Sequence, residues 1–254
     1  MYVYLYDTFI SEAKFQNTIA RVETRLTDLG IAGKICRLSV LTSIEELVND
    51  AVKNGAETIV AVGNDETVSK VIPLIADHKV SFGIIPIGKP SRLAQLLGIP
   101  EGDKACDVLS ARVVTKLDLG KANQHYFLSR LEIPAGEYEI QLNGQYTARS
   151  LNPNQTITIY NFDSLAPGVV ADRSNPRDGQ LELIFSGGES AGLGRFFNKD
   201  SATESVFPIK KAQIQGLNQD QSVIADGYTI INTPVNVGVA RSRLKMIVGK
   251  SRGF

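Results

Sequence analysis

The residues best suited to chemistry lie in the stretch 59–70, "IVAVGNDETVSK". An apolar run ends at Gly63, Asp65 and Thr67 follow at alternate positions, and a helix-like pattern begins. A buried strand that empties through a glycine into a helix start is the local shape of a phosphate-handling turn, because backbone N–H groups and the helix dipole face an incoming anion there. Asn64 and Glu66 stand where a loop hugging a phosphate favours glycine. Asp65 itself reads two ways, as a functional carboxylate or as a helix cap. A second stretch, 83–100, reads "GIIPIGKPSRLAQLLGIP" and places Lys89 and Arg92 just after the turn glycine Gly88.

The elements that must position these residues alternate over the first part of the chain. "YVYLY", "KICRLSV", "TIVAVG" and "SFGIIPIG" read as strands, the third nearly all apolar as a strand buried on both faces would be. Between them, a helix capped by Ser11 runs to about Leu29, one opens at a Ser43/Glu46 capping box, and one follows "GNDET" and ends or kinks near Pro73. After residue 115 strand-like runs recur without long helices, separated by turns such as Asn143-Gly144 and Asp178-Gly179. "AGLGRFFNK", 191–199, reads as a brief helix. The predicted fold is an α/β domain with a mostly parallel sheet, 1–116, and a mainly antiparallel β-sandwich domain, 117–240. A C-terminal segment, 241–254, is free to return to the first.

Composition sets the outer bounds. Twenty-seven Lys+Arg balance twenty-seven Asp+Glu, so no overall charge draws the chain to nucleic acid or an anionic surface. The only cysteines, Cys36 and Cys106, lack metal spacing and read as buried thiols; the only histidines, His78 and His125, stand apart, which argues against a histidine metal site or triad. The first residues lack the basic and apolar regions of a signal peptide, and no apolar stretch is long enough to cross a membrane. Arg241, Arg243 and Lys245 alternate, which on a strand puts them on one face, either as a solvated edge or as a patch for anionic lipid.

Three stretches in order resemble one family, the diacylglycerol and sphingoid lipid kinases, which share a fold with NAD kinases. The family's GGDGT turn is "GNDET" here, with Gly63, Asp65 and Thr67 in register. Its "GIIPLGTGNDFARSLGIP" signature matches Gly83 to Pro100 on both flanks, with the centre rewritten. Its late "DG-x-L-D-v" strand and "DGE" turn match "DGQLELI" at 178–184 and, in part, "ADGY" at 225–228. The resemblance implies a diacylglycerol kinase-like fold, ATP and Mg²⁺ as cofactors, and phosphoryl transfer to a lipid hydroxyl. It implies a nucleotide held by Gly63, Asn64, Asp65, Glu66, Thr67, Gly88, Lys89 and Arg92, with Asp65 at the metal and Asp226 as the base. It also implies a cytoplasmic protein with peripheral contact at the inner membrane face, with no nucleic-acid partner; a homodimer is compatible with it.

Where the chain departs from the family, chemistry is lost. Glu66 adds a negative charge where phosphates approach, Lys89-Pro90-Ser91-Arg92 replaces Thr-Gly-Asn-Asp, Tyr228 replaces the glutamate of DGE, and "YDTFI" replaces an Asn-Pro-x-x-Gly turn after the first strand. Asp226 equally suits an ordinary Asp-Gly hairpin turn. Three readings stay open. The first is an active lipid kinase. The second is a catalytically inactive member of the fold, without cofactors, that binds a ligand or partner. The third is a binder of a small phosphorylated ligand through Lys89 and Arg92. An ion pair of Glu66 with Lys89 or Arg92 across the nucleotide position is expected under the second.

Overall fold

The computed structural model describes residues 1–39, 42–149, 156–163, 174–186, 206–218 and 221–254. The chain forms two compact units, Met1–Leu117 together with Ser242–Phe254, and Asp118–Arg241.

In the first unit the strands are β1 (Tyr2–Tyr6), β2 (Lys34–Arg37), β3 (Thr58–Gly63) and β4 (Ser81–Pro86). They pair in parallel in the order β2-β1-β3-β4, and Lys245 and Met246 near the chain's end pair in parallel with Ser81 and Phe82 of β4. Every residue of β3 and β4 is buried, as expected of central strands in a sheet covered on both faces. The helices are α1 (Gln16–Asp28), α2 (Ile44–Lys53), α3 (Asp65–Ile75), α4 (Arg92–Leu96) and α5 (Ala105–Ala111). Their apolar stripes close the layers: α1 buries Val22 and Leu26, and α3 buries Val68, Val71, Ile72 and Ile75.

One helix boundary differs from the sequence reading. The helix expected from Ser11 starts instead at Gln16, after 3₁₀ turns at Thr8–Ser11 and Ala13–Phe15. Glu12 between those turns is extended, which breaks any helix running from Ser11. α3 ends at Ile75, two residues past Pro73, in keeping with the end expected near that proline. Ser43 does cap α2, accepting from Glu46 N.

The second unit is built of antiparallel strands. They are β5 (Val114–Ala122, entering from the first unit), β6 (His125–Phe127), β7 (Arg130–Ile133), β8 (Tyr138–Leu142), β9 (Tyr146–Arg149), β10 (Thr156–Tyr160), β11 (Leu181–Ser186), β12 (Val206–Ile209), β13 (Lys211–Gly216), β14 (Ser222–Ala225), β15 (Thr229–Asn232) and β16 (Val235–Ile247). One sheet runs β12-β11-β10-β7-β14-β15; in the other, the first part of β16 pairs with β13, then β8, then β9. Alternate residues of both sheets meet in one core, with Leu131, Ile157, Leu183 and Val223 from the first and Ile140, Ile214 and Val235 from the second. The brief helix expected over 191–199 lies outside the described residues.

Strand β16 does not present Arg241, Arg243 and Lys245 as a simple row. Ser242 has φ +52°, a left-handed kink that interrupts the alternation. Beyond it, Arg243 pairs with Asp77 and Lys245 Nζ donates to the Lys79 carbonyl at 3.5 Å, so both are tied to the α3–β4 connection.

The chain's last residues are stitched to the first unit by backbone bonds, Gly249 N to Leu97 O and Gly253 N to Leu96 O, each 2.9 Å. A Cβ on Gly249 would stand 1.8 Å from the Gly98 carbonyl oxygen. Backbone on both sides leaves no soft atom to give way. Gly249→Ala is therefore expected to destabilise the protein by about 2 kcal/mol or more, read as a lower midpoint in urea unfolding.

Candidate functional site

The ends of β1, β3 and β4 deliver their loops to one place. A cavity of about 650 Å³ is lined by Asp7, Thr8 and Phe9 after β1, Asn64 and Glu66 after β3, and Gly88 and Lys89 after β4, with Glu12, Lys14, Phe15 and Lys70 completing it. Beside β1 the strand order reverses, since the chain passes from β1 to β2 on one side and then to β3 on the other. Ligands of open α/β sheets bind outside the carboxyl ends of the strands at such a reversal. The volume is that of a small-molecule site.

The turn "GNDET" is held together by its own side chains. Asn64 caps α3, its Oδ1 accepting from Thr67 N at 3.1 Å, while Asn64 N donates to Thr67 Oγ1 at 3.2 Å. Asn64 has φ −104°, so its tolerance of left-handed backbone goes unused. Thr67 is fully buried and donates its hydroxyl to Asp7 Oδ2 at 2.5 Å. Gly63 is required by that hydroxyl: a Cβ there would stand 2.3 Å from Thr67 Oγ1. Gly88, at φ +102°, lies under the Phe9 ring. Phe9 and Phe15 meet edge to face, 5.5 Å apart.

The charged positions are also engaged. Asp65 accepts from Ser91 Oγ and, at 3.2 Å, from Arg92 N, so its two oxygens bind the first residues of α4; Ser91 Oγ in turn accepts from Ala94 N at 2.9 Å. Asp65 is not among the residues lining the cavity. Glu66 pairs with Lys70, one turn along α3, at 2.6 Å, and this is its one ion pair among the described residues. The expected pair of Glu66 with Lys89 or Arg92 is therefore not made, because a partner at i+4 on the same helix is nearer. Lys89 is exposed and lines the cavity.

Asp226 lies in the second unit, in the β14–β15 turn with φ +49° followed by Gly227 at +76°. The residue is half-buried, and main-chain amides hold both oxygens of its carboxylate. Oδ2 accepts from Leu128 N at 2.8 Å, and Oδ1 accepts from Ser129 N at 2.7 Å and Arg130 N at 3.1 Å. Burial pushes this carboxyl up to about 6, against the opposing pull of the three amides and of Arg130. Around it stands a polar group that the sequence reading passed over. Arg130 pairs with Glu132 and with the buried Asp163, each at 2.6 Å. Asn161, also buried, donates to the carbonyls of Asp118 and Leu128. Burial lowers the Arg130 pKa, and the two carboxylates more than reverse that. The cavity residues Lys14, Lys70 and Phe9 were passed over as well. Lys70 was findable as the i+4 partner of Glu66; no spacing rule points to Lys14 or Phe9.

An α/β unit with a reversal-point cavity and a separate antiparallel β unit define the fold class of the diacylglycerol kinase-like proteins. Residues 2–122 match the family model described as the diacylglycerol kinase catalytic domain, so a little under half of the chain is similar to that family. It is 25% identical over 161 residues to a Bacillus subtilis (strain 168) protein named diacylglycerol kinase, covering 56% of this chain and 53% of that one. It is 34% identical over 82 residues to a Staphylococcus haemolyticus protein of the same name, covering 31% and 25%. The chain thus spans about half or less of the length of these relatives. A solved diacylglycerol kinase structure from Bacillus anthracis str. Sterne superposes with a TM-score of 0.77 over 99% of this chain and 98% of that one, at 16% identity; at that identity the likeness is one of fold. Among the described residues no helix is long and apolar enough to cross a membrane.

The Asp226 carboxyl has a direct consequence for stability. Its folded pKa, about 6, lies above the ordinary 3.8. The native state therefore holds the proton more tightly than the unfolded chain, and the stability this adds is lost as pH rises from about 4 through 6. Urea midpoints measured at pH 4, 5, 6 and 7 should fall across that range, and Asp226→Asn should remove this part of the slope. Glu182, pushed up to about 7 by burial and by Asp178, supplies a remaining slope of the same sign.

Proposed function

We propose that the protein is an ATP-dependent lipid kinase of the diacylglycerol kinase type, with the nucleotide in the cavity at the ends of β1, β3 and β4. The observation that carries this reading is that cavity, built from the loops that in the family face the nucleotide and lined by Lys14, Lys70 and Lys89. Ammonium groups can hold phosphate oxygens as point charges, and the Phe9–Phe15 pair offers apolar surface for a base or ribose.

The residues fit a nucleotide better than they fit a dedicated metal site. Among the described residues no three acidic, histidine or cysteine side chains gather around one point, and Asp65 spends both oxygens on α4. Mg²⁺ commonly takes its ligands from substrate phosphates, water and one or two carboxylates, so the metal in this reading arrives with the nucleotide. Bound there, it would neutralise charge developing on the transferred phosphoryl group. Asp226 is the proposed base. Three of its lone-pair directions hold amide protons and one on Oδ2 remains for a substrate hydroxyl. A pKa of about 6 leaves it ionised at neutral pH yet able to accept a proton. The lipid hydroxyl gives its proton to Oδ2 as its oxygen attacks phosphorus, and ADP leaves. A cytoplasmic location with peripheral membrane contact and a lipid partner belong to the same proposal.

A second reading rests on one specific fact: both candidate acids, Asp65 and Asp226, are already satisfied by donors of this chain. On that reading the protein binds nucleotide and transfers nothing. Labelled ATP with Mg²⁺ and vesicles containing diacylglycerol or a sphingoid base separates the two. The expected result is labelled lipid from wild type and at least a hundredfold loss of turnover in Asp226→Asn, with ATP binding by calorimetry unchanged. ATP binding without labelled lipid selects the second reading, and no ATP binding at millimolar concentration overturns both.

A further inference from the structure

We infer that Glu66 is a specificity-determining residue of the cavity: it occupies Lys70 in the ligand-free protein and excludes polyphosphate that arrives without a divalent cation. This rests on the reading that the cavity takes ATP.

The cavity's charges carry the argument. Its lining holds three lysines, Lys14, Lys70 and Lys89, and three acids, Asp7, Glu12 and Glu66. Two of the lysines are matched within the lining, Lys14 to Glu12 at 2.7 Å and Lys70 to Glu66 at 2.6 Å. Lys89 has no ion-pair partner among the described residues. Asp7 is held by the hydroxyls of Thr67 and Thr8. The site is thus electrically neutral as a whole, with one unmatched cation. A metal-free triphosphate is a strong polyanion, and such a cavity offers it no net attraction. The magnesium complex carries roughly two fewer negative charges and is far better matched.

Of the three acids, Glu66 is the one that decides. Asp7 is locked by the buried Thr67 and serves the fold. Glu12 lies between the two 3₁₀ turns and Lys14 within the second, with Glu12 52% and Lys14 64% exposed, so solvent screens them more than it does Glu66, 40% exposed. Glu66 stands in the first turn of α3, two residues past the cap, where backbone N–H groups would otherwise face the phosphates unopposed. Its carboxylate meets that field first and already holds the cation a phosphate would seek. The pair is itself a half-exposed i,i+4 contact and is weak, so a ligand can take Lys70 from it. The penalty comes from leaving the Glu66 charge beside the phosphates.

The test is calorimetric titration with ATP, in EDTA and again in excess MgCl₂, on wild type, Glu66→Gln and Lys70→Met. Glutamine keeps the size and removes the charge. Glu66→Gln is expected to tighten metal-free ATP by about tenfold, the order of one unit charge at contact distance with solvent screening, and to change the magnesium complex far less. The ratio of the two dissociation constants therefore falls by about tenfold. The gain shrinks at about 0.5 M salt. Lys70→Met weakens both forms. An unchanged ratio in Glu66→Gln, with binding of the magnesium complex intact, overturns the role of Glu66 and leaves the cavity's ligand standing. Failure of all three proteins to bind the magnesium complex overturns this inference together with the reading beneath it.

Discussion

The hydroxyl of Thr67 is the point on which the first unit's site depends. It is buried without exposure and reaches the Asp7 carboxylate just after β1, while accepting the Asn64 amide just after β3. One side chain therefore ties together the carboxyl ends of two neighbouring parallel strands. A charge-assisted bond of this kind contributes about 2 kcal/mol. Its geometric consequence is larger than its energy. It fixes where α3 begins, and it forbids a side chain at Gly63. Because Asp7 and Asn64 both line the cavity, the same bond sets the position of two of its walls.

That arrangement explains why the fold was largely legible in the sequence. The apolar runs of β3 and β4 and the stripe of α3 are strong periodic signals, and the glycines at 63 and 88 mark the turns. What was not legible is the use each polar residue is put to. Asp65 fits a cap or a metal ligand equally well by type and spacing. The structure gives it to the start of α4, a contact made with Ser91 and Arg92 from a different loop. Glu66 shows the reverse case: a long-range partner was expected, but a local one at i+4 was available and won. Lys14 reaches the cavity only because the chain makes two 3₁₀ turns before α1, and the weak capping signal at Ser11 concealed those turns.

Asp226 displays the tension between fold and chemistry most clearly. An Asp-Gly pair at a hairpin is enough to explain the left-handed backbone at 226 and 227. It does not explain three consecutive amides converging on the carboxylate. Residues 128–130 lead into β7, and β7 pairs with β14, so the carboxylate bonds the strand beside its own. Those amides favour the charged form, while burial disfavours it more strongly, and the balance falls near 6. Glu182, pushed up to about 7 by burial and by Asp178, shows the same direction, so burial is the leading cause in both places. What sets Asp226 apart is the three amides that hold its carboxylate, a clamp between the start of β7 and the β14–β15 turn that an Asp-Gly hairpin by itself does not require.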